Sequence, residues 1–127
     1  LWCEFRGLLD CKATFHLGDD RGWIDHHAVE HLGGEFPRRL VCWFCDDFGD
    51  AFSVPTNSKT LDTDLKENFE LRMAHVREHI LSDDLTLDQM RPDFYMVEHL
   101  YRHNLMDGIS YKSAMHYTEV PESFRIP

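Results

Sequence analysis

The chain has 127 residues, enough for one modest domain or two or three very small modules. Its 43% hydrophobic and 13% aromatic content excludes a disordered chain. The net charge is −10, and no third is basic: five basic residues stand against seven acidic in 1–40, four against eight in 41–80, and four against eight in 81–127. A nucleic-acid binder draws much of its affinity from phosphate neutralisation, so a basic face would have to be built here against the net charge. No apolar run is long enough to span a bilayer, and none has the pattern of a signal peptide.

The distinctive residues are four cysteines and nine histidines. Residues 1–16 open with Cys3 and Cys11 among Trp2, Phe5, Leu8 and Leu9. This reads as a short hairpin with a wide turn around Gly7. Asp19 and Asp20 are N-cap candidates for a helix whose apolar positions are Trp23, Ile24, Ala28, Val29 and Leu32, stopped by Gly33-Gly34. That helix carries His26, His27 and His31. Pro37 and Arg38-Arg39 form a linker, and Leu40-Val41 lead as a brief strand into Cys42-Trp43-Phe44-Cys45.

Residues 46–63 form an acidic, turn-rich insertion in which Phe48 and Phe52 are the expected anchors. A long helix follows, with Asp64 and Glu67 at capping-box spacing. Its apolar stripe is Leu65, Phe69, Met73, Val76 and Ile80, with His75 and His79 one turn apart at its edge. Thr86 to Gln89 has the spacing of another capping box. Pro92 suits the first turn of a further helix, with Phe94, Val97, Leu100, Tyr101 and Leu105 on one face and an end at Asp107-Gly108. The remainder to Pro127 lacks periodicity and is expected to wrap or fray.

Two thiols followed by two imidazoles are the ligand types of a tetrahedral zinc. Metal is favoured over disulfides because each Cys pair precedes a His pair at finger-like distance. Cys42, Cys45, His75 and His79 form the better-spaced set. Cys3, Cys11, His31 and either His26 or His27 form a second set, with an unusually wide Cys spacing. His27-Ala28-Val29-Glu30-His31-Leu32 aligns with His75-Val76-Arg77-Glu78-His79-Ile80, and helix geometry places His27 on the face of His31. His26 and His31, with four residues between them, also make an accepted finger spacing. Both segments match H-x-x-E-H, a zinc-peptidase motif in which Glu30 or Glu78 would be the base. Two thiolates and two imidazoles close the shell and leave no place for a catalytic water, so an enzyme is not expected. His99 and His103 have no Cys nearby and are read as surface or packing residues. Trp43 and Phe44 are expected to pack over the metal rather than form a recognition patch.

Cys42-Trp43-Phe44-Cys45 followed by Asn68-Phe69, Arg72-Met73, His75 and His79 resembles the divergent C2H2-type zinc fingers of fungal proteins. Trp23-Ile24-Asp25-His26 followed by His31-Leu32 resembles the companion finger of the same proteins, and this favours His26 as the ligand. The resemblance implies an intracellular, nuclear regulator of transcription with two structural Zn2+ ions. The expected fold is α+β and helix-rich: small zinc-stabilised ββα-like modules at residues 1–34 and 40–81, with a helical C-terminal extension over 82–127. The acidic charge favours a protein partner over DNA. The start of the second finger's helix, Asp64-Leu65-Lys66-Glu67, lacks the basic character of a DNA-reading helix. No membrane contact is expected.

Overall fold

A computed structural model describes residues 1–45, 52–55, 57–91 and 93–117. Phe48, Pro92 and the residues from Thr118 onward, for which expectations were stated above, lie outside them. The described residues are α+β and rich in helix.

Near the N-terminus, Trp2 and Thr14 form an antiparallel bridge. The wide turn between Cys3 and Cys11 is not open loop but holds a single helical turn, α1 (Arg6–Leu9). Leu9 and Cys11 both donate their backbone N–H to the Phe5 carbonyl, at 2.8 and 3.3 Å. Asp10 ends the turn in the left-handed region (φ 54°), which short polar side chains tolerate. The seven intervening residues are thereby folded back so that Cys11 returns beside Cys3.

Helix α2 (Asp20–His26) is capped by Asp19, whose side chain accepts from the Gly22 N–H. It does not continue as α-helix. Residues His27–His31 form a π-helical turn, with the Leu32 N–H donating to the His27 carbonyl at 3.0 Å. The turn closes at Gly33 (φ 57°) and Gly34 (φ 80°), and the Gly34 N–H reaches the Ala28 carbonyl. Only glycine adopts these conformations without steric cost. The extra residue per turn rotates Val29 outward. It is 69% exposed instead of lying on the apolar face, and His27 is fully buried.

Strand β1 (Arg39–Leu40) pairs antiparallel with β2 (Phe52–Ser53), in the register Leu40 to Phe52. The acidic insertion therefore contributes a strand, and Phe52 packs against the core as its anchor. Helix α3 (Leu61–Ser82) starts three residues before the expected Asp64. Asp64 instead accepts from the hydroxyls of Ser58 and Thr60. Phe69, Met73 and Val76 of the expected stripe are buried. The capping box at Thr86 and Gln89 is present on a 3-10 turn (Leu87–Gln89). Asp93 caps α4 (Phe94–Arg102), which ends earlier than expected, with Asn104 in the left-handed region. A fifth helix, α5 (Gly108–Tyr117), occupies part of the tail expected to lack structure. It packs on α4 through stacked rings of Tyr101 and Tyr111, 4.1 Å apart.

Among the described residues, one hydrophobic cluster joins Cys3 and Phe5, Trp23 and Leu32, Leu40 and Trp43, Phe69, Met73 and Val76, and Met96, Val97 and Leu100. Trp43 is fully buried, with Trp2, Trp23 and Phe44 rings 5.8, 5.9 and 6.2 Å away. Trp43 is thus a core residue and not part of an exposed patch.

Candidate metal centres

Two sets of four side chains converge. In the first, the Cys3 Sγ lies 3.3 Å from Nε2 of His31, and the Cys11 Sγ lies 3.4 Å from Nε2 of His26. The two imidazole nitrogens are 3.2 Å apart. In the second, the Cys45 Sγ lies 3.5 and 3.3 Å from Nε2 of His75 and His79, whose nitrogens are 3.1 Å apart. Cys42 completes that set, and the four ligand atoms of each set lie within 4.8 Å of one another. A tetrahedral zinc with ordinary bond lengths has edges of about 3.3 Å between two nitrogens and about 3.5 Å between sulfur and nitrogen. The observed separations match those edges. The donor set, two soft thiols and two imidazoles, suits zinc, so both clusters fit the ion chemically and geometrically.

The choice between His26 and His27 follows from the π turn. An α-helix brings i and i+4 to one face, which would have selected His27 with His31. The wider turn brings i and i+5 together, so His26 and His31 converge. Both nitrogens of His27 are committed elsewhere. Nε2 accepts the Glu4 N–H at 2.9 Å, and Nδ1 is 2.8 Å from the Trp23 carbonyl, to which it donates. This fixes the neutral tautomer, and burial pulls the His27 pKa down to about 4. His27 is a core residue that positions the backbone beside the Cys3 ligand.

The second set needs no such device, because His75 and His79 sit one turn apart on the straight helix α3. The two knuckles share a detail: the thiol two residues upstream accepts a backbone N–H at 3.4 Å, from Phe5 onto Cys3 and from Phe44 onto Cys42. Burial raises the Cys3 pKa, with smaller contributions from Cys11 and Glu4. A bound cation reverses that preference, since a coordinating thiol is deprotonated outright. Burial, and then the neighbouring imidazole, lowers the pKa values of His31 and His75. Both effects favour the neutral ring that a metal requires.

Around these groups lie aromatic walls. Phe5 stands 4.5 Å from the His31 ring, Phe15 5.3 Å from His26, Phe52 5.6 Å from His75 and Phe44 5.7 Å from His79. His79 also places Nδ1 2.9 Å from an Asp83 carboxylate oxygen. Such a carboxylate–histidine pair holds the ring with Nε2 directed at the metal. Glu30 and Glu78 are exposed and belong to neither cluster. His99 and His103 lie near Glu35, with His99 Nε2 2.8 Å from its carbonyl and His103 Nδ1 2.6 Å from its carboxylate. They belong to neither set of converging metal ligands among the described residues.

Between the two clusters lies a buried ionic network that sequence reasoning missed. Arg72 of α3 is wholly buried and grips Glu4 with two nitrogens, at 2.7 and 2.5 Å. The same guanidinium donates to Asp93 at 3.0 Å and to the Val41 carbonyl at 2.9 Å, and lies 5.7 Å from the Trp43 ring centroid. Asp93 in turn accepts the Val41 N–H at 2.9 Å and caps α4 through Tyr95 and Met96. Burial pushes the Asp93 pKa up to about 6 against the pull of Arg72. Arg72 thus ties the residue after Cys3 to the residue before Cys42 and to the C-terminal helices. A signal for it was available: Arg72 lies inside the apolar stripe, three residues after Phe69 and four before Val76.

No protein family, curated protein or solved structure matches the chain.

Proposed function

We propose that this chain is a domain built on two structural Zn2+ ions, one per Cys2His2 set, that presents a folded surface to a protein partner. What supports this is the pair of converging sets, each bringing two thiols and two imidazoles within 4.8 Å of one another, with the nitrogen–nitrogen and several sulfur–nitrogen separations near those of a tetrahedral zinc. Four protein ligands leave no open coordination position, which argues against hydrolysis through Glu30 or Glu78. The resemblance to fungal C2H2-type fingers adds a nuclear regulatory role to this proposal. Duplex DNA is the weaker partner reading. Arg38 and Arg39 favour it, but exposed positions of α3 carry Asp62, Glu67 and Glu78, which repel phosphate.

X-ray absorption at the zinc edge tests the closed shell. The expected spectrum fits two sulfur and two nitrogen scatterers per ion and is unchanged by small-molecule zinc ligands. A light-atom shell with an exchangeable oxygen would overturn the structural role.

A further inference from the structure

Lined by none of the converging Cys and His residues, a cleft of about 410 Å³ runs between the linker before β1 and helix α4. Its wall carries Arg38, Arg39, Arg102 and His99, with Tyr95 and the buried Phe94 as the apolar part. Three guanidinium groups in one cleft run against a chain of net charge −10. One lining carboxylate, Glu98, offsets them; it pairs with Arg102 at 3.4 Å and accepts from the Tyr111 hydroxyl. Neither Arg38 nor Arg39 is ion-paired within the described residues. Arg38 donates to the Pro55 carbonyl, and Arg39 stands 5.9 Å from the Tyr95 ring centroid. By contrast, Arg21, Arg72 and Arg77 are all engaged by carboxylates.

We propose that this cleft binds the phosphate group of a phosphorylated side chain on a protein partner. Three arginines against Glu98 leave a formal charge of about +2, which complements the −1.5 to −2 of a phosphoryl group at neutral pH. Guanidinium forks match phosphate oxygens two at a time, which a lysine cannot do. The cleft's volume falls in the range of small-ligand sites. A single phosphorylated side chain suits it, whereas the chain's net charge of −10 opposes a long polyanion such as a DNA duplex. The inference deepens the reading of the chain as a protein-contacting domain.

The test is a titration of the zinc-loaded full chain with three probes: a Gly-Ser peptide carrying one phosphoserine, the same peptide unphosphorylated, and a short DNA duplex. Binding is followed by 15N NMR, including the arginine Nε–H signals. The expected result is saturable binding of the phosphopeptide alone, with shifts centred on Arg38, Arg39, Arg102 and Tyr95. Binding weakens at least tenfold in the Arg39→Gln/Arg102→Gln double variant. Equal binding of the unphosphorylated peptide, tighter binding of the duplex, shifts centred elsewhere, or no binding would each overturn the proposal. Both replaced arginines are exposed, so the variant is expected to fold. Zinc content and melting temperature, measured on the same samples, separate failure of the cleft from failure of the metal-centred reading.

Discussion

Refolding the chain in the presence of a strong zinc chelator is expected to yield no cooperatively folded protein, read as loss of near-ultraviolet dichroism and of a calorimetric transition. Each structural zinc contributes an apparent binding free energy of about 10–16 kcal/mol at neutral pH in small finger peptides. A whole domain is stable by only about 5–15 kcal/mol. The ligands are not peripheral. Cys3 and Cys42 belong to the same buried cluster as Trp23, Trp43 and Phe69. Without a cation, the first set leaves the His31 Nε2 3.3 Å from the buried Cys3 thiol and 3.2 Å from the His26 Nε2, polar groups whose lost hydration only weak thiol and imidazole contacts offset. An unchanged melting transition after chelation would show that the aromatic core suffices by itself.

Replacement of Arg72 by Met carries the second large effect. It leaves the Glu4 and Asp93 carboxylates buried side by side without their cation. Breaking one member of a buried ion pair typically costs about 3–5 kcal/mol, and here two carboxylates lose the same partner. The expected result in denaturant unfolding of the zinc-loaded protein is a loss in that range or above. Lysine should not rescue it, because the bidentate grip on Glu4 needs the guanidinium fork. Adding Glu4→Gln and Asp93→Asn to Arg72→Met should recover part of the loss by removing the uncompensated charges. A cost under about 1 kcal/mol for Arg72→Met would mean that the network is not a tie between the knuckles.

The second ligand set was legible in the sequence because it needs only two local rules: a tight Cys-x-x-Cys turn, and His-x-x-x-His on a straight helix. The first set was legible in composition but not in geometry. The alignment of His27–Leu32 with His75–Ile80 suggested two equivalent helices, yet one segment is a π turn and the other is α-helix. A difference of one residue per turn moves the inward position from one histidine to its neighbour, and propensity alone does not register it. The wide Cys3–Cys11 gap was similarly opaque, since nothing local announces that Arg6–Leu9 forms a helical turn.

The buried network was the least visible feature. Glu4, Arg72 and Asp93 are far apart in sequence, and an arginine on a helix is ordinarily read as a surface charge. Its place is set by tertiary packing around Trp43. Helix α5 was missed for a related reason: its sequence has a weak apolar pattern, and packing on α4 supports it where local propensity does not.

The number of zinc ions bound per chain, measured by elemental analysis on the wild type and on His75→Ala, His26→Ala and His27→Gln, tests the two metal centres and the assignment of His26. Glutamine keeps one acceptor and one donor for the partners of His27, so that variant should retain the fold. The two-centre assignment requires two ions in the wild type and in His27→Gln, and loss of one in each of the other two variants. Fewer than two ions in the wild type, or two retained in His26→Ala while His27→Gln loses one, would contradict it.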